Sequence, residues 1–336
     1  MKPVALLCIV MLALLFVVGG CQQVPRVQTS QAFDADNGEL FRKVIAATGT
    51  VLKDGEIAGA GAFVRVDGVF LTAAHVVHGY KDKVEVRRPN GSTLHARVIA
   101  SDLGHDLALL QVNVPSLQAN EWLKLSSTLP MPGTPIFVVG APLKMTDVWM
   151  PGRVGRDRTG FNYLGNLQSY VHSQLILADA APGSSGGCWV DRSGRVVGVQ
   201  SAFIGDNKGS LGLAFMAPAS AAIELVRRGK DRPTATLGAE LAWLATQSPG
   251  FQKRFPPGAH GVAVHKIRED SPLNKAGIAK DQLITHLNGV VVKDVYAINT
   301  AVRKRLPGQR VRLTVVSPDQ HEVKQHDVVL GELAWD

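Results

Sequence analysis

Short runs of alternating apolar and polar residues dominate the chain from about residue 38 to residue 216. Turn dipeptides separate neighbouring runs: Asp67-Gly68 follows Val64 and Val66, and Asn90-Gly91 has the same role further on. The further predicted strands are Asp106–Val112, Pro135–Gly140, Tyr170–Leu177, Arg195–Gln200 and Leu211–Met216. Many short strands at regular spacing, with few helical patterns, predict an all-β barrel or sandwich of roughly 180 residues.

A helix and a basic, turn-rich segment close this β-rich region. The helix is predicted over Ala219–Arg228 and ends at Gly229, because glycine readily adopts the left-handed conformation that ends helices. Residues 230–234 are predicted as a linker. We therefore assign residues 41–229 to a first domain.

Residues 235–331 follow a different pattern and are predicted to form a second, smaller domain. Strands are predicted over 261–267 and 282–287, and Asp294 is predicted to cap a helix. The apolar face of that helix consists of Val295, Ile298, Val302 and Leu306. The domain is therefore predicted to be β-rich with two helices, the first of them short and ending at Gly277.

The N-terminus has the pattern of a targeting segment. Lys2 precedes an apolar run, Val4–Val18, and small residues follow it, which predicts a signal peptide over residues 1–20. An uncleaved membrane anchor is the alternative, because the run counted through Cys21 approaches the length of a membrane span. Residues 21–40 begin with a polar, aperiodic segment and are predicted to be a tether.

The sequence Val18-Gly19-Gly20-Cys21 resembles the lipobox of bacterial lipoproteins. The resemblance implies that Cys21 is lipidated and becomes the mature N-terminus. Gln22 after the cysteine resembles lipoproteins that are sent to the outer membrane. We therefore expect a lipid-anchored protein of the bacterial cell envelope that faces the periplasm.

Composition narrows the function classes. The 336 residues are 46% hydrophobic and 19% charged, which is ordinary for a globular protein with two or three cores. The net charge of +8 comes from scattered basic residues without a basic stripe, so no nucleic-acid partner is expected. Once Cys8 is removed and Cys21 is lipidated, Cys188 is the remaining thiol, which we predict to be a small buried apolar residue rather than part of a disulfide.

Three segments carry candidate chemistry. In Gly183-Ser184-Ser185-Gly186-Gly187, glycines allow a sharp turn that exposes the Ser185 hydroxyl, although an ordinary glycine-rich hairpin loop has the same composition. His75 ends an apolar strand among small residues, and Asp106 opens a buried strand. Taken by itself, each of these residues could have a purely structural role. Together, their chain order His, Asp, Ser is that of chymotrypsin-like proteases.

Four segments resemble the motifs of the HtrA/Deg family of exported serine proteases. They are Thr72–Val76, Asp106–Leu110, Gly183–Gly187 and Gly212–Pro218. The resemblance implies a mostly β fold, a chymotrypsin-like double β-barrel with the site in the cleft between two six-stranded barrels.

The same resemblance assigns roles. His75 is the general base, Asp106 orients and stabilises it, and Ser185 is the nucleophile. The oxyanion hole is assigned to the Gly183, Ser184 and Ser185 segment, with the backbone N–H groups of Gly183 and Ser185 as donors. Asp102 is the rival aspartate, and it is disfavoured because the family's aspartate immediately precedes the apolar Leu-Ala pair.

Two departures from the family concern the specificity pocket. Ser184 replaces the usual asparagine, and the segment Asp179–Pro182 is about two residues short. Asp179 falls where trypsin-like enzymes carry their pocket aspartate, yet the family prefers small apolar residues before the cut. The cleavage preference stays open.

The second domain resembles a PDZ domain over its full length. The most specific part is Ser271-Pro272 with Ala276-Gly277, followed by Asp281 and Asn288-Gly289. The resemblance implies binding of peptide C-termini by strand addition. It nominates Leu237, Gly238 and Ala239 as the carboxylate loop, with Val302 near the pocket; the alternative is a small β-rich module without a ligand.

The sequence thus predicts a serine endopeptidase that cleaves unfolded or damaged exported polypeptides through an acyl-enzyme, with peptide recognition or regulation by the PDZ domain. No cofactor and no metal are expected. A latent protease that acts as a peptide-binding chaperone or envelope scaffold is the alternative, and a peptide-recognition adaptor with an inert barrel is a third. The resemblance also implies a homotrimer, for which Phe33 and Phe41 are the available N-terminal aromatic residues.

Overall fold

The computed structural model describes residues 31–80, 83–165, 168–206 and 209–334. The signal peptide predicted over 1–20 and the predicted lipidation site Cys21 lie outside the described residues. Residues up to Gly38 and residues from Glu39 onward belong to two separate compact units, and the architecture below is that of the second. Within the described ranges, no helix is long and apolar enough to cross a membrane.

Helix α1 (Gln31–Ile45) is the first described element, so the tether predicted over 21–40 is wrong from Gln31 onward. Leu40 and Val44 lie one helical turn apart and are buried in the main apolar core. Phe41 packs its ring edge-on against Trp149, with ring centroids 5.7 Å apart. Burial of a short apolar face at its C-terminal end therefore stabilises the helix. The polar residues before that face show no helical period, so the sequence does not predict the helix.

The first barrel consists of six strands: β1 (Thr48–Lys53), β2 (Glu56–Phe63), β3 (Val69–Ala73), β4 (Val84–Arg87), β5 (Thr93–Asp102) and β6 (Leu107–Val112). They close in the order β1-β2-β3-β6-β5-β4. Helix α2 (Ala74–Val77) follows β3 without a loop. Strand β6 begins at Leu107 rather than at Asp106, because Asp106 has a left-handed φ of +58°.

The second barrel also has six strands: β7 (Pro135–Gly140), β8 (Val148–Leu164), β9 (Ser169–Leu177), β10 (Cys188–Val190), β11 (Val196–Asp206) and β12 (Gly209–Pro218). They close in the order β10-β11-β12-β9-β8-β7. Strands β8 and β9 form a long antiparallel pair, called here the β8–β9 hairpin, in which Tyr163 lies opposite Tyr170. Helix α3 (Ala219–Arg228) follows β12 and ends at Gly229, as predicted.

One apolar core joins the two barrels. It contains Leu71 and Leu109 from the first barrel and Val139 and Cys188 from the second. Cys188 is fully buried, and its burial raises the pKa of the thiol to about 12. The prediction that Cys188 is a small buried apolar residue is therefore confirmed.

The C-terminal domain contains the remaining elements: β13 (Ala235–Thr236), β14 (Ala239–Trp243), α4 (Pro249–Gln252), β15 (Val262–Ile267), α5 (Pro272–Lys275), β16 (Leu283–Leu287), β17 (Val290–Val291), α6 (Val295–Arg303), β18 (Arg310–Val316), β19 (Val323–Val329) and β20 (Gly331–Glu332). The main sheet has the order β14-β15-β16-β18-β19, so β14 is an edge strand; β17 pairs with β16, and β13 with β20. Asp294 Oδ1 accepts a hydrogen bond from Ala297 N at 2.7 Å, as expected of the predicted cap. Leu306 lies beyond the end of α6 and is exposed, so its assignment to the apolar face of this helix is wrong.

The segment predicted as a linker, 230–234, is held against the first barrel. Asp231 Oδ1 accepts hydrogen bonds from the backbone N and the Oγ of Ser101, at 2.8 and 2.9 Å. Arg232 N donates to Ser101 O at 2.8 Å. The connection between the two domains is therefore fixed to the end of β5.

Candidate active site

The pairing of β3 with β6 brings His75 and Asp106 together. Ala73 lies opposite Leu107 in this pair, so the residue that precedes β6 faces the start of α2. His75 Nδ1 lies 2.7 Å from Asp106 Oδ2, and His75 N donates to Asp106 Oδ1 at 2.9 Å. The carboxylate therefore contacts both the backbone and the ring of the same histidine, which fixes the direction of the imidazole.

Asp106 is fully buried, and a third group binds it. Ser201 Oγ donates to Asp106 Oδ2 at 2.5 Å. Sequence reasoning missed Ser201, because nothing in Val199-Gln200-Ser201-Ala202 distinguishes it from any serine in a strand. The carboxylate thus has three hydrogen-bond partners in a buried setting: the backbone N–H and the ring of His75, and the hydroxyl of Ser201.

His75 has the electrostatic setting of a general base. Burial of the imidazole lowers the pKa of His75, but the charge of Asp106 and its hydrogen bond more than offset this, so the pKa lies above its ordinary value. With Nδ1–H donated to Asp106, the neutral ring leaves Nε2 as the proton acceptor. This tautomer is the one that a serine nucleophile needs.

The loop before Ser185 is a tight turn that only glycine permits. Ser184 N donates to Ala181 O at 3.1 Å, and Gly183 has a φ of +96°. A Cβ on Gly183 would overlap the carbonyl oxygen of Ala141. Pro182 O accepts from Leu143 N at 2.8 Å, which fixes the orientation of the peptide plane that carries the Gly183 N–H.

Ser185 lies between the two barrels and beside the helix that carries His75. Its carbonyl oxygen accepts from Ala60 N in β2 at 2.8 Å. A Cβ on Gly59 would lie 2.6 Å from Ser185 O and 2.8 Å from a methyl group of Val76, the residue after His75. Across the described part of the chain, no hydrogen bond is formed by Ser185 Oγ, so the serine and the histidine are neighbours but not bonded.

The predicted oxyanion residues differ in what their N–H groups do. Among the described residues, neither Gly183 N nor Ser185 N donates a hydrogen bond, which leaves both available. Ser184 is buried, and both its N–H and its Oγ donate to Ala181 O. Ser184, the middle residue of the predicted oxyanion segment, therefore uses its polar groups inside the turn, and the predicted donors remain the N–H groups of Gly183 and Ser185.

The rival aspartate, Asp102, has other partners. It is 1% exposed, and its Oδ2 lies 2.8 Å from His105 Nδ1 and 3.0 Å from Arg232 Nη1. Burial raises the pKa of Asp102, but these two groups outweigh burial and lower it to about 2. The structure therefore places Asp106, and not Asp102, on His75.

Asp179, the residue that raised the question of trypsin-like specificity, is exposed. Its Oδ1 would lie 3.9 Å from a Cβ on Gly212 in β12. It therefore does not supply the buried carboxylate that a pocket for basic side chains would need.

The four residues nominated for peptide binding lie around the start of β14 and in α6. Gly238 has a φ of +70°, and its N–H donates to Thr236 Oγ1 at 3.0 Å. Leu237 and Val302 are buried in the apolar core of the C-terminal domain, and Ala239 is the first residue of the edge strand. Leu237, Ala239 and Val302 thus belong to one apolar cluster, and Gly238 lies between the first two in the chain.

Two family descriptions match the chain in succession. The first, trypsin-like peptidase domain, matches residues 59–199, and the second, PDZ domain, matches residues 227–330. The chain therefore contains a trypsin-like peptidase domain followed by a PDZ domain, and it is similar to serine endoproteases of the HtrA/DegP type. The predicted double barrel followed by a PDZ domain is therefore confirmed.

Curated relatives match about three quarters of the chain. A DegP-like periplasmic serine endoprotease of Brucella suis is 29% identical over 267 residues, which is 76% of this chain and 49% of the relative. The mitochondrial serine protease HTRA2 of Bos taurus is 30% identical over 260 residues, 73% of this chain and 55% of the relative. The chain therefore spans about half the length of the curated relatives it matches.

Solved structures show the same fold. The HtrA-type protease AlgW with a decapeptide superposes with a TM-score of 0.64 at 20% identity, covering 89% of this chain and 99% of that one. The serine endoprotease from Yersinia pestis has a TM-score of 0.59 at 19% identity, with coverage of 88% and 98%. At these identities the likeness concerns the fold of the peptidase and PDZ domains together.

Proposed function

We propose that this HtrA/DegP-type chain is a serine endopeptidase that cleaves unfolded or damaged exported polypeptides. The observation that carries the proposal is the buried Asp106 carboxylate, which contacts His75 at both its backbone N and its Nδ1. A surface or structural histidine does not require such a partner. The serine endoproteases among the relatives support the same activity.

In the proposed mechanism, Ser185 Oγ attacks the scissile carbonyl carbon while His75 Nε2 takes the hydroxyl proton. The tetrahedral oxyanion accepts hydrogen bonds from Gly183 N and Ser185 N, which have no other acceptor in the described chain. His75 then gives its proton to the departing amine, and an acyl-enzyme on Ser185 is left. A water molecule, deprotonated by His75, attacks the ester and releases the second product and Ser185.

The PDZ domain is proposed to bind peptide C-termini at the side formed by Leu237, Gly238, Ala239 and Val302. Strand β14 is an edge strand, and edge strands offer unpaired backbone groups for strand addition. The solved structures of AlgW with a decapeptide and with a tripeptide support peptide binding in a protein of this fold.

The envelope location is supported by relatives that are named periplasmic. Lipidation of Cys21 and an outer-membrane address are proposed from the lipobox-like Val18–Cys21 and from Gln22. A homotrimer is proposed from the family resemblance, although Phe41, one of its two candidate contacts, packs against Trp149 of its own chain.

A second candidate function is a latent protease that acts as a peptide-binding chaperone or envelope scaffold. One observation favours it: Ser185 Oγ makes no hydrogen bond to His75 in the described residues. Such bonds also tighten when substrate binds, so the geometry is compatible with both functions. The peptide-recognition adaptor with an inert barrel is less compatible with the buried Asp106–His75 pair.

Reaction with a labelled fluorophosphonate tests the proposal, because only an assembled site acylates its serine. The chain without residues 1–20 should be labelled on Ser185, as located by peptide mass spectrometry, and Ser185→Ala should not be labelled. Absence of label on the folded wild-type protein would remove the constitutive endopeptidase and favour the latent form.

A further inference from the structure

The β8–β9 hairpin of the peptidase domain reaches the side of the PDZ domain that is proposed to bind peptides. Its residue Tyr170 is 7% exposed and belongs to the same apolar cluster as Leu241 and Val302. Phe161 and Tyr163 of the hairpin pack against that cluster as well. An aromatic side chain of the peptidase domain therefore lies within the apolar core of its neighbour.

The hydroxyl of Tyr170 occupies the backbone of the edge strand. Tyr170 Oη accepts a hydrogen bond from Leu241 N at 2.8 Å and donates to Leu241 O at 2.6 Å. Burial is the main reason why the pKa of Tyr170 lies above its ordinary value, so the phenol keeps the proton that it donates. An added peptide strand would make the same two kinds of bond, to the outward N–H and C=O groups of β14.

The other wall of this side, helix α6, also holds the hairpin. Arg303 Nη2 donates to Tyr170 O at 2.6 Å. The ring of Tyr296 lies 5.7 Å, centroid to centroid, from the ring of Phe161. The hairpin thus contacts both β14 and α6, the two elements between which a peptide would lie.

We propose that Tyr170 closes the peptide-binding edge of the PDZ domain, so that a peptide C-terminus and the β8–β9 hairpin compete for β14. The inference rests on the proposed peptide-binding function of this domain. Two features define the ligand class. A free C-terminal carboxylate is needed to bind the Leu237–Ala239 loop, and an aromatic side chain is needed to fill the apolar space that the Tyr170 ring occupies. A peptide without an aromatic residue would leave that space empty and bind more weakly.

Displacement of Tyr170 would also reach the peptidase site. Two residues along β9, His172 N donates to Gly104 O at 2.8 Å. Gly104 lies in the turn that leads from Asp102 to Asp106, and the backbone of Asp106 is left-handed. The hairpin is therefore bonded at one residue to the PDZ edge and, two residues later, to the turn that positions Asp106.

The test compares Tyr170→Phe with Tyr163→Phe in the full chain after residue 20, with Ser185→Ala in both to prevent cleavage of probes. Tyr163 is the matched control, because it lies opposite Tyr170 in the hairpin and its hydroxyl makes no hydrogen bond among the described residues. The first measurement is amide hydrogen exchange at Leu241. Loss of the Tyr170 hydroxyl should speed exchange of the Leu241 amide by about tenfold, and Tyr163→Phe should leave that exchange rate unchanged. Equal exchange in both variants would overturn the closure.

The second measurement is the binding of fluorescein-labelled decapeptides that end in a free carboxylate. The panel carries phenylalanine at each of the last four positions in turn, against an all-alanine parent and amidated copies. Tyr170→Phe should bind the best phenylalanine peptide about tenfold more tightly than the control does, because the competing hydroxyl is gone. Equal affinities would overturn the competition.

A third result separates this inference from the proposed function. If exchange at Leu241 is faster in Tyr170→Phe but no peptide binds any form, the peptide-binding function is wrong and only the docked hairpin stands. Arg303→Met, which releases the Tyr170 carbonyl instead of its hydroxyl, is the second variant. It should change exchange and affinity in the same direction if Tyr170→Phe proves too unstable to purify.

Discussion

Arg232 Nη1 lies 3.0 Å from Asp102 Oδ2 and so joins the segment that leads into the PDZ domain to the turn that ends at Asp106. Asp102 is the first residue of that turn, since His105 N donates to Asp102 O and Asp106 N to Leu103 O. A buried carboxylate requires a positive partner, and Arg232, in the segment that connects the two domains, is that partner of Asp102. The connection therefore helps to hold the turn that orients the histidine.

Replacement of Arg232 by methionine should destabilise the protein by about 2 kcal/mol at pH 7, because Asp102 keeps His105 but loses its permanent cation. The folded-state pKa of Asp102 is lowered to about 2, so its contribution is present above the ordinary carboxyl pKa and is lost as pH falls toward 2. The difference between wild type and Arg232→Met should therefore shrink between pH 4 and pH 2. Urea unfolding at several pH values measures it.

The matched control is Arg227→Met. Arg227 also pairs with a carboxylate, Glu224, but this pair is on the surface, with 70% of the arginine side chain exposed. Surface pairs contribute little, so the loss should be much smaller than that of Arg232→Met and should not depend on the Asp102 titration. Equal losses in the two variants would contradict the structural role of Arg232.

Residues whose roles depend on local sequence could be predicted, and those that depend on distant contacts could not. His75, Asp106 and Ser185 stand in segments with a recognisable pattern of small and apolar neighbours, and glycine at 183 follows from a turn that needs positive φ. Ser201 acts through a bond to a residue 95 positions away. No pattern within a strand encodes such a contact.

The same reason explains why the two ends of the peptidase domain are more ordered than their composition indicates. Residues 230–234 have the composition of a flexible linker, but Ser101, far away in the chain, fixes Asp231 and Arg232 in place. Helix α1 has polar residues at its start, and its stability comes from burial of Leu40 and Val44 against the barrels. In both cases tertiary contacts override the local composition.

Replacement of Ser185 by alanine should abolish cleavage of unfolded casein, with a loss of several orders of magnitude in kcat and no loss of folding. Ser184→Ala is the control, because Ser184 is the adjacent serine but its Oγ donates to Ala181 O inside the turn. That variant should lose about 1 kcal/mol of stability and keep measurable cleavage. Undiminished cleavage by Ser185→Ala would show that the nucleophile is another residue.

Replacement of Cys21 by alanine should move the protein out of the lipid-anchored membrane fraction. The reason is that the cysteine thiol is the proposed attachment point of the lipid, and Val18–Cys21 is the proposed processing sequence. Mass spectrometry of the mature N-terminus measures the change directly. A wild-type protein that carries no lipid and begins at a residue other than Cys21 would contradict the lipoprotein assignment.

Replacement of Asp106 by asparagine should change both the rate and its pH dependence. The pKa of His75 is raised by Asp106 in opposition to burial, so the wild-type rate should rise with pH through a midpoint above the ordinary histidine pKa. Without the carboxylate, burial lowers the pKa, so the midpoint should move to lower pH while kcat falls by about 10⁴-fold. Asp102→Asn is the comparison: a larger loss there would reverse the assignment of the two aspartates.

Replacement of Ser201 by alanine tests the residue that the sequence did not reveal. Ser201 Oγ donates to the same Asp106 oxygen that contacts His75 Nδ1, so its removal concentrates the carboxylate charge on the imidazole and leaves part of a buried carboxylate without a donor. We expect kcat to fall about tenfold, KM to change little, and the acid midpoint of the pH profile to rise. Ser173→Ala removes another buried serine of the same barrel, which accepts from Asn162 Nδ2 and does not contact Asp106. Ser173→Ala should lower stability and leave kcat and the pH midpoint unchanged. If Ser201→Ala also lowers stability without moving the midpoint, Ser201 has only a structural role.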